Sequence, residues 1–342
     1  MATTLPSQTR QIDNAFVTTW YEIREEAIDN ILDATPIWAA LNGAGCLKPQ
    51  AGSDLITRTI AYGEEEATEI ERGDLLPSGG DTELETMAIW RWRTIAGKVQ
   101  RSMWDDQKNR GPTKIKDLVG MKLQATRDAL EQKMEAQLFN THQSSENTKK
   151  FQGLNDVLPP IATRSTGTYG GIQRPSAYSA GANGVYAPSA GNVWWGPKYL
   201  PGTLATIEDD LLTDMKKLYN SVGNNQAFPN LIVTTQTIFE LYEEFALDAV
   251  QIIKDETTRL ADLGFEVLRF KGKPLIWSEN VAAGQMKMLN TDFIDIVYDP
   301  DYWFDMTEWK PVALQPDRIA HIINFLNMIT SQPRRHGQLE YA

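Results

Sequence analysis

Two strand-like segments flank an acidic run that has no core of its own, and this arrangement limits what the chain can fold into. Asp54 to Tyr62 is rich in β-formers and can place Ile56, Ile60 and Tyr62 on one face. Thr86 to Ile95 alternates as well, with Trp90 and Trp92 on one side and Arg91 and Arg93 on the other. Between them lie nine acids, from Glu64 to Glu85, with Pro77-Ser-Gly-Gly80 to turn the chain. Two arms of about 15–20 residues would reach roughly 50–65 Å at strand rise. An isolated two-stranded hairpin is marginal in water, so this one is expected to lie on something else.

After the hairpin comes the strongest helical pattern. Pro112 sits in a first turn, where its missing N–H does no harm. Ile115, Val119, Leu123, Leu130, Met134 and Leu138 form one stripe, with Lys116, Arg127, Glu131 and Glu135 opposite. The helix is predicted to run to about Phe139 and to end in the polar stretch His142 to Lys150. Before the hairpin, Phe16, Trp20, Ile23, Ile28 and Ile31 suggest an amphipathic helix ended by Ala34-Thr35-Pro36. Leu41 to Gly52 reads as a joint.

Residues 151–202, rich in Gly, Pro, Ser and Tyr, read as ordered loops in which Trp194 and Trp195 argue for burial. A helix over Leu204–Val222, a strand over Asn230–Thr234, a helix from Thr237 to about Ile252 and strands over Phe265–Phe270 and Pro274–Trp277 follow. Such alternation makes a small α/β domain. From Gln285 onwards the chain is strand-like.

Composition excludes several function classes. The 342 residues carry a formal charge of −12, the wrong sign for a protein that neutralises phosphates. No stretch approaches the roughly 20 apolar residues of a membrane span. The N-terminus has no basic region followed by an apolar core, so it is not a secretory signal and synthesis is expected in the cytoplasm. Cys46 is the only cysteine, which excludes an intrachain disulfide and a thiolate zinc site; it reads as a small buried hydrophobe. His142, His321 and His336 show no metal-ligand spacing. There is no nucleophile elbow and no glycine-rich phosphate cradle. Asp299, Asp301, Asp305 and Glu308 have a calcium-like rhythm but lack the central glycine that turns such a loop. The acidic run could supply a carboxylate pair for glycosidase chemistry, yet nine acids around Arg72 read better as a solvated surface or half of an intersubunit contact. No catalytic, cofactor-binding or metal-binding residue is therefore nominated, and no cofactor is expected.

The order of segments resembles the major capsid proteins of tailed double-stranded DNA phages with the Hong Kong ninety-seven fold. Trp90-Arg-Trp-Arg93 before the helix from Pro112 looks like a returning loop strand entering a spine helix. Phe151-Gln-Gly-Leu154, Tyr169-Gly-Gly-Ile-Gln-Arg174 and Trp194-Trp195 resemble the opening of an axial domain. Asn230-Leu-Ile-Val-Thr234 with the Tyr242 helix resembles its central strand and helix, and Ser331 to Leu339 resembles a common C-terminal ending.

The resemblance implies an α+β fold with an N-terminal arm (1–50), an extended two-stranded loop (51–111), a spine helix with the first part of a peripheral domain (112–150), an axial domain (151–284) and a β-rich second part of the peripheral domain (285–342). It implies a virion protein, synthesised in the host cytoplasm, that assembles with itself into the hexamers and pentamers of an icosahedral shell. The arm starts almost at Met1, which implies a separate scaffolding protein in place of a built-in one. A portal protein and a decoration protein are further implied partners, with packaged DNA contacted weakly and without sequence preference. Lysine–asparagine crosslinking occurs in part of that family, but no lysine lies between Arg58 and Arg93. Two other readings are an encapsulin-like nanocompartment, which shares the fold, and an acidic hydrolase.

Overall fold

The computed structural model describes residues 35–63, 69, 83–102, 104, 118–140, 149–223, 227–248 and 268–342. The amphipathic segment before Thr35, most of the acidic run, Pro112 to Asp117 and His142 lie outside them. The chain divides into two compact units; among the described residues one holds 96–102, 104, 118–132 and 304–323, and the other holds the rest.

In chain order the helices are α1 (Pro36–Gly43), α2 (Leu118–Leu138), α3 (Leu154–Val157), α4 (Ile207–Gly223) and α5 (Gln236–Asp248). The strands up to Gly202 are β1 (Leu47–Pro49), β2 (Leu55–Ala61), β3 (Glu85–Arg91), β4 (Arg93–Ser102), β5 (Thr168–Tyr169), β6 (Ile172–Gln173), β7 (Ala177–Ala180), β8 (Tyr186–Ala190) and β9 (Lys198–Gly202). Those after it are β10 (Leu231–Thr234), β11 (Leu268–Phe270), β12 (Lys273–Trp277), β13 (Gln285–Leu289), β14 (Ile294–Tyr298), β15 (Asp305–Met306), β16 (Lys310–Pro311), β17 (Asp317–Thr330) and β18 (Gly337–Tyr341).

The larger unit is built on an eight-stranded sheet of order β11-β12-β10-β13-β18-β9-β8-β7. Its central strands are short and apolar on one face, so they need cover from helices. That cover is α4, whose Leu211, Met215, Leu218, Tyr219 and Val222 pack with Ile232, Met286, Met288 and Leu339 of the sheet; Ile238, Phe239 and Tyr242 of α5 join the same core. Glu208, Asp209 and Asp210 sit in the first turn of α4. At its other end Lys198 Nζ donates to the Ser221 carbonyl and Arg335 Nη1 to that of Gly223. Acids at the start and cations at the end both complement the helix dipole.

In the same unit, β1 pairs parallel with β14, and β14 pairs antiparallel with the second half of β17. Helix α1 starts at Pro36, with Ile37, Trp38, Ala40 and Leu41 buried. The sequence reads Pro36 as a helix stop; Pro at a first helical position is equally a start, because its fixed φ suits the first turn. The stretch read as a joint, Leu41 to Gly52, contains the end of α1 and all of β1.

In the smaller unit the first half of β17 pairs with β15 and β16, and β4 also pairs with β17. Gln100 Nε2 donates to Asp317 at 2.7 Å, and Lys122 Nζ of α2 to the Gln100 carbonyl at 3.3 Å. Leu130 is buried, and a Cβ at Gly97 would lie 2.7 Å from Thr126 Cγ2 and 3.1 Å from Leu130, so this strand-to-helix approach favours glycine. Arg127 stacks over Phe304 and Arg101 over Trp309.

The domain boundary read at 284/285 does not follow the pairing. β13 and β18 lie within 285–342, yet both are inner strands of the eight-stranded sheet, with Lys287 opposite Gln338. Strand character after Gln285 was legible, but which sheet each strand joins is a long-range choice that local pattern does not encode.

Candidate assembly surfaces

The β2–β3 ribbon is fully registered, from Leu55 opposite Arg91 to Ala61 opposite Glu85. Period-two alternation gives it two unlike faces. Ile56, Ile60, Ala88 and Trp90 are buried, whereas Met87 and Ile89 are exposed at 55% and 41%. The buried face rests on the chain's own body. Trp90 meets Tyr169 edge-on at 5.8 Å, and the Ile89 amide donates to the Gly170 carbonyl at 2.9 Å. Gly170 has φ +60°, and a Cβ there would lie 2.8 Å from the Trp90 indole, so glycine is required twice over. The support expected from elsewhere is, along this stem, intramolecular. Trp92, read on the same side as Trp90, lies beyond β3 and donates its indole N–H to the Ser53 carbonyl at 2.7 Å.

Two clefts open beside the ribbon. One of about 310 Å³ is lined by Thr59, Ile60, Tyr62, Gly63, Trp194, Gln332 and Arg334, with Tyr62 and Trp194 stacked at 4.5 Å. The other, about 540 Å³, is lined by Asp54, Arg91, Trp92, Asp299, Tyr302 and Phe325. Neither gathers the paired nucleophile and base that catalysis needs. Of the acids in the run, Glu69, Glu83 and Glu85 are described; all are exposed, and Glu83 accepts from Tyr62 Oη at 3.2 Å.

The remaining sequence candidates are scattered. Cys46 is buried; desolvation, then the charge of Asp295, pushes its thiol up to about 12, which makes it inert. His321 is exposed on β17. Asp299 accepts from the Asp301 amide at 3.0 Å and caps its own turn. Among the described residues no three His, Cys, Asp or Glu side chains gather as a metal site.

Three buried polar groups escaped the sequence reading. His336 is fully buried, and burial holds its imidazole near 3, hence neutral. Its Nδ1 accepts from the Asn290 amide at 3.2 Å, so Nε2 carries the proton and donates to Thr330 Oγ1 at 3.1 Å; the Thr330 hydroxyl in turn donates to the Phe293 carbonyl. Lys287 is fully buried and donates to Gln338 Oε1 at 2.6 Å and to the Leu158 carbonyl at 3.1 Å. Burial pulls its ammonium down to about 7, against the opposing pull of Glu340. The hydrophobic stripe predicts Glu135 on the exposed face of α2, but it is 2% exposed. Its Oε2 accepts from the Trp38 amide and its Oε1 from Ser278 Oγ, each at 3.2 Å. No short-range pattern marks these groups, because most of their partners lie tens to hundreds of residues away, Thr330 of His336 being six away.

No family model matches the sequence, and no curated protein does either. Solved structures do match. The capsid of a native GTA particle aligns over 93% of this chain and 94% of its own, with 13% identity and a TM-score of 0.60. The Cyanophage A-1(L) capsid aligns over 92% and 96%, with 15% identity and a TM-score of 0.60. This chain has a phage capsid fold. The Hong Kong ninety-seven fold, of α+β class, is matched over 92–93% of the chain and not over one domain alone. The holo-SrpI encapsulin of Synechococcus elongatus PCC 7942 matches too, over 94% of both chains at 12% identity, with a TM-score of 0.51.

Proposed function

We propose that this chain is the major capsid protein of a tailed double-stranded DNA phage, a structural subunit that assembles with itself into an icosahedral shell and catalyses no reaction. The observation that carries this reading is the end-to-end match to the two capsid structures at TM-score 0.60, above the 0.51 of the encapsulin. The acidic hairpin fits the same reading, since a long loop with one anchored face can present the other to a neighbour.

In this reading residues 1–50 form the arm, 51–111 the extended loop and α2 the spine. The axial domain is the eight-stranded sheet with α4 and α5, and so takes in β13 and β18. Hexamers and pentamers are the assembling units, with a separate scaffolding protein, a portal and a decoration protein as partners. The subunit is made in the host cytoplasm and resides in the virion. With a charge of −12 the shell contacts packaged DNA weakly and without sequence preference.

Electron microscopy of the purified, expressed chain tests the proposal. Shells of genome-holding size are the expected result. Small closed shells enclosing protein cargo would favour the encapsulin reading, and a monomer or dimer that forms neither shells nor hexamers and pentamers would reject both.

A further inference from the structure

Beside the apolar contacts of its buried face, helix α1 is held at its start by a carboxylate. Its N-cap residue, Thr35, makes no side-chain hydrogen bond to the helix. The free amide of Trp38 in the first turn is met instead by Glu135, 97 residues away on the last turns of α2. The other carboxylate oxygen holds Ser278, just beyond β12. Glu135 thus joins the start of α1, the end of α2 and the loop after β12 at a buried point.

Among the described residues no cation meets this point. α1 contains no charged residue, and on the β12 side Glu279 is exposed. On α2 itself Lys133 is exposed, while Glu131 pairs with Arg127 at 3.3 Å. Only the helix N-terminus and hydrogen bonds from Trp38, Ser278 and Ile37 favour the ionised form, and desolvation outweighs them, lifting the carboxyl to about 7. The protonated acid suits the same geometry: its carbonyl oxygen accepts from the Trp38 amide, and its hydroxyl donates to Ser278 Oγ.

We propose that Glu135 is a proton-operated latch that seats α1 firmly when the carboxyl is neutral and loosens it when the carboxyl ionises. The inference rests on the subunit's own geometry and not on the capsid reading. If that reading holds, the latch makes the root of the N-terminal arm sensitive to pH near neutrality.

The sign follows from linkage. The folded-state value lies above the ordinary carboxylate value, so docking is strongest below the ordinary value and weakens as pH rises towards about 7. Each pH unit in that window changes the docking equilibrium by up to about tenfold. Hydrogen exchange of the full chain, followed by mass spectrometry and corrected for the intrinsic pH dependence of exchange, reads this directly. Protection over residues 36–43 should fall between about pH 5 and 7 and level off above. Glu135→Gln keeps an acceptor but cannot ionise, and should flatten the profile. Ser278→Ala removes a hydrogen bond that is stronger to the carboxylate than to the acid, and should move the midpoint upward. Wild-type protection that is flat or rises with pH would overturn the latch. So would a Ser278→Ala profile superimposable on wild type, which keeps the test decisive even where Glu135→Gln does not fold.

Discussion

Lys287 shows how one buried charge can be tolerated in a sheet. It stands on an inner strand, all of whose residues are buried, and its ammonium is served by Gln338 directly across the register and by the Leu158 carbonyl. Gln338 in turn donates to Glu340 at 2.8 Å, and Glu340 accepts from the Ile161 amide. Because burial lowers its folded-state value to about 7, the folded protein binds this proton more weakly than the unfolded chain does. The stability it contributes is complete above the ordinary lysine value and is lost as pH falls towards about 7. Lys287→Met should therefore flatten the rise of the melting temperature between about pH 7 and 10. It should also cost about 1–3 kcal/mol by orphaning Gln338 Oε1 and the Leu158 carbonyl. Thermal melts across that pH range check both effects, and an unchanged slope would show that Lys287 is charged where it stands.

At the scale of elements, the ribbon β2–β3 has one anchored face and one exposed face, and the proposed function assigns only the second to assembly. Its inner face belongs to the subunit's own core, so Trp90→Ala should destabilise the isolated chain by about 3–5 kcal/mol. Met87 on the outer face is 55% exposed, and Met87→Ala should stay within about 0.5 kcal/mol of wild type in urea melts. Deleting residues 64–82, which spares Glu83 and all of β3, should leave a soluble folded subunit that makes no regular shells. Normal shells from that deletion would mean that the acidic tip has no part in assembly. The helix α2 divides likewise. Leu130 is buried and Leu123 only half-buried, so truncation to Ala should cost more at Leu130, in the range of about 2–5 kcal/mol.

For the whole molecule, the C-terminal segment matters to both units. The first half of β17 carries the pairing of the smaller unit, its second half pairs with β14, and β18 lies between β13 and β9 in the eight-stranded sheet. Ending the chain after Tyr298 takes an inner strand from that sheet and the pairing strand from the other unit. Neither unit should then fold. Hydrogen exchange on the truncated chain should show no protection over Leu118–Leu138 or over β10, and strong protection at either place would contradict this dependence.

What the sequence determined by itself is what short-range physics can carry. Periodicity placed α4, the start of α5, β2, β3, β10 and β12 to within a few residues, and the charge and lack of motifs removed most chemistry from consideration. Alternation even chose which face of β2 is apolar, since Ile56 and Ile60 are spaced by multiples of two. Tertiary structure decided the rest. That Trp90 rests on Tyr169 of its own chain, that β13 and β18 leave their neighbours for the larger sheet, and that Glu135 lies inside are all consequences of contacts distant in sequence. A glutamate on a helix looks the same to local propensity whether water or a buried amide meets it. Only the meeting of α1, the end of α2 and the loop after β12, which the hydrophobic stripe did not foresee, removes the water and leaves the carboxyl to the Trp38 amide and the Ser278 hydroxyl.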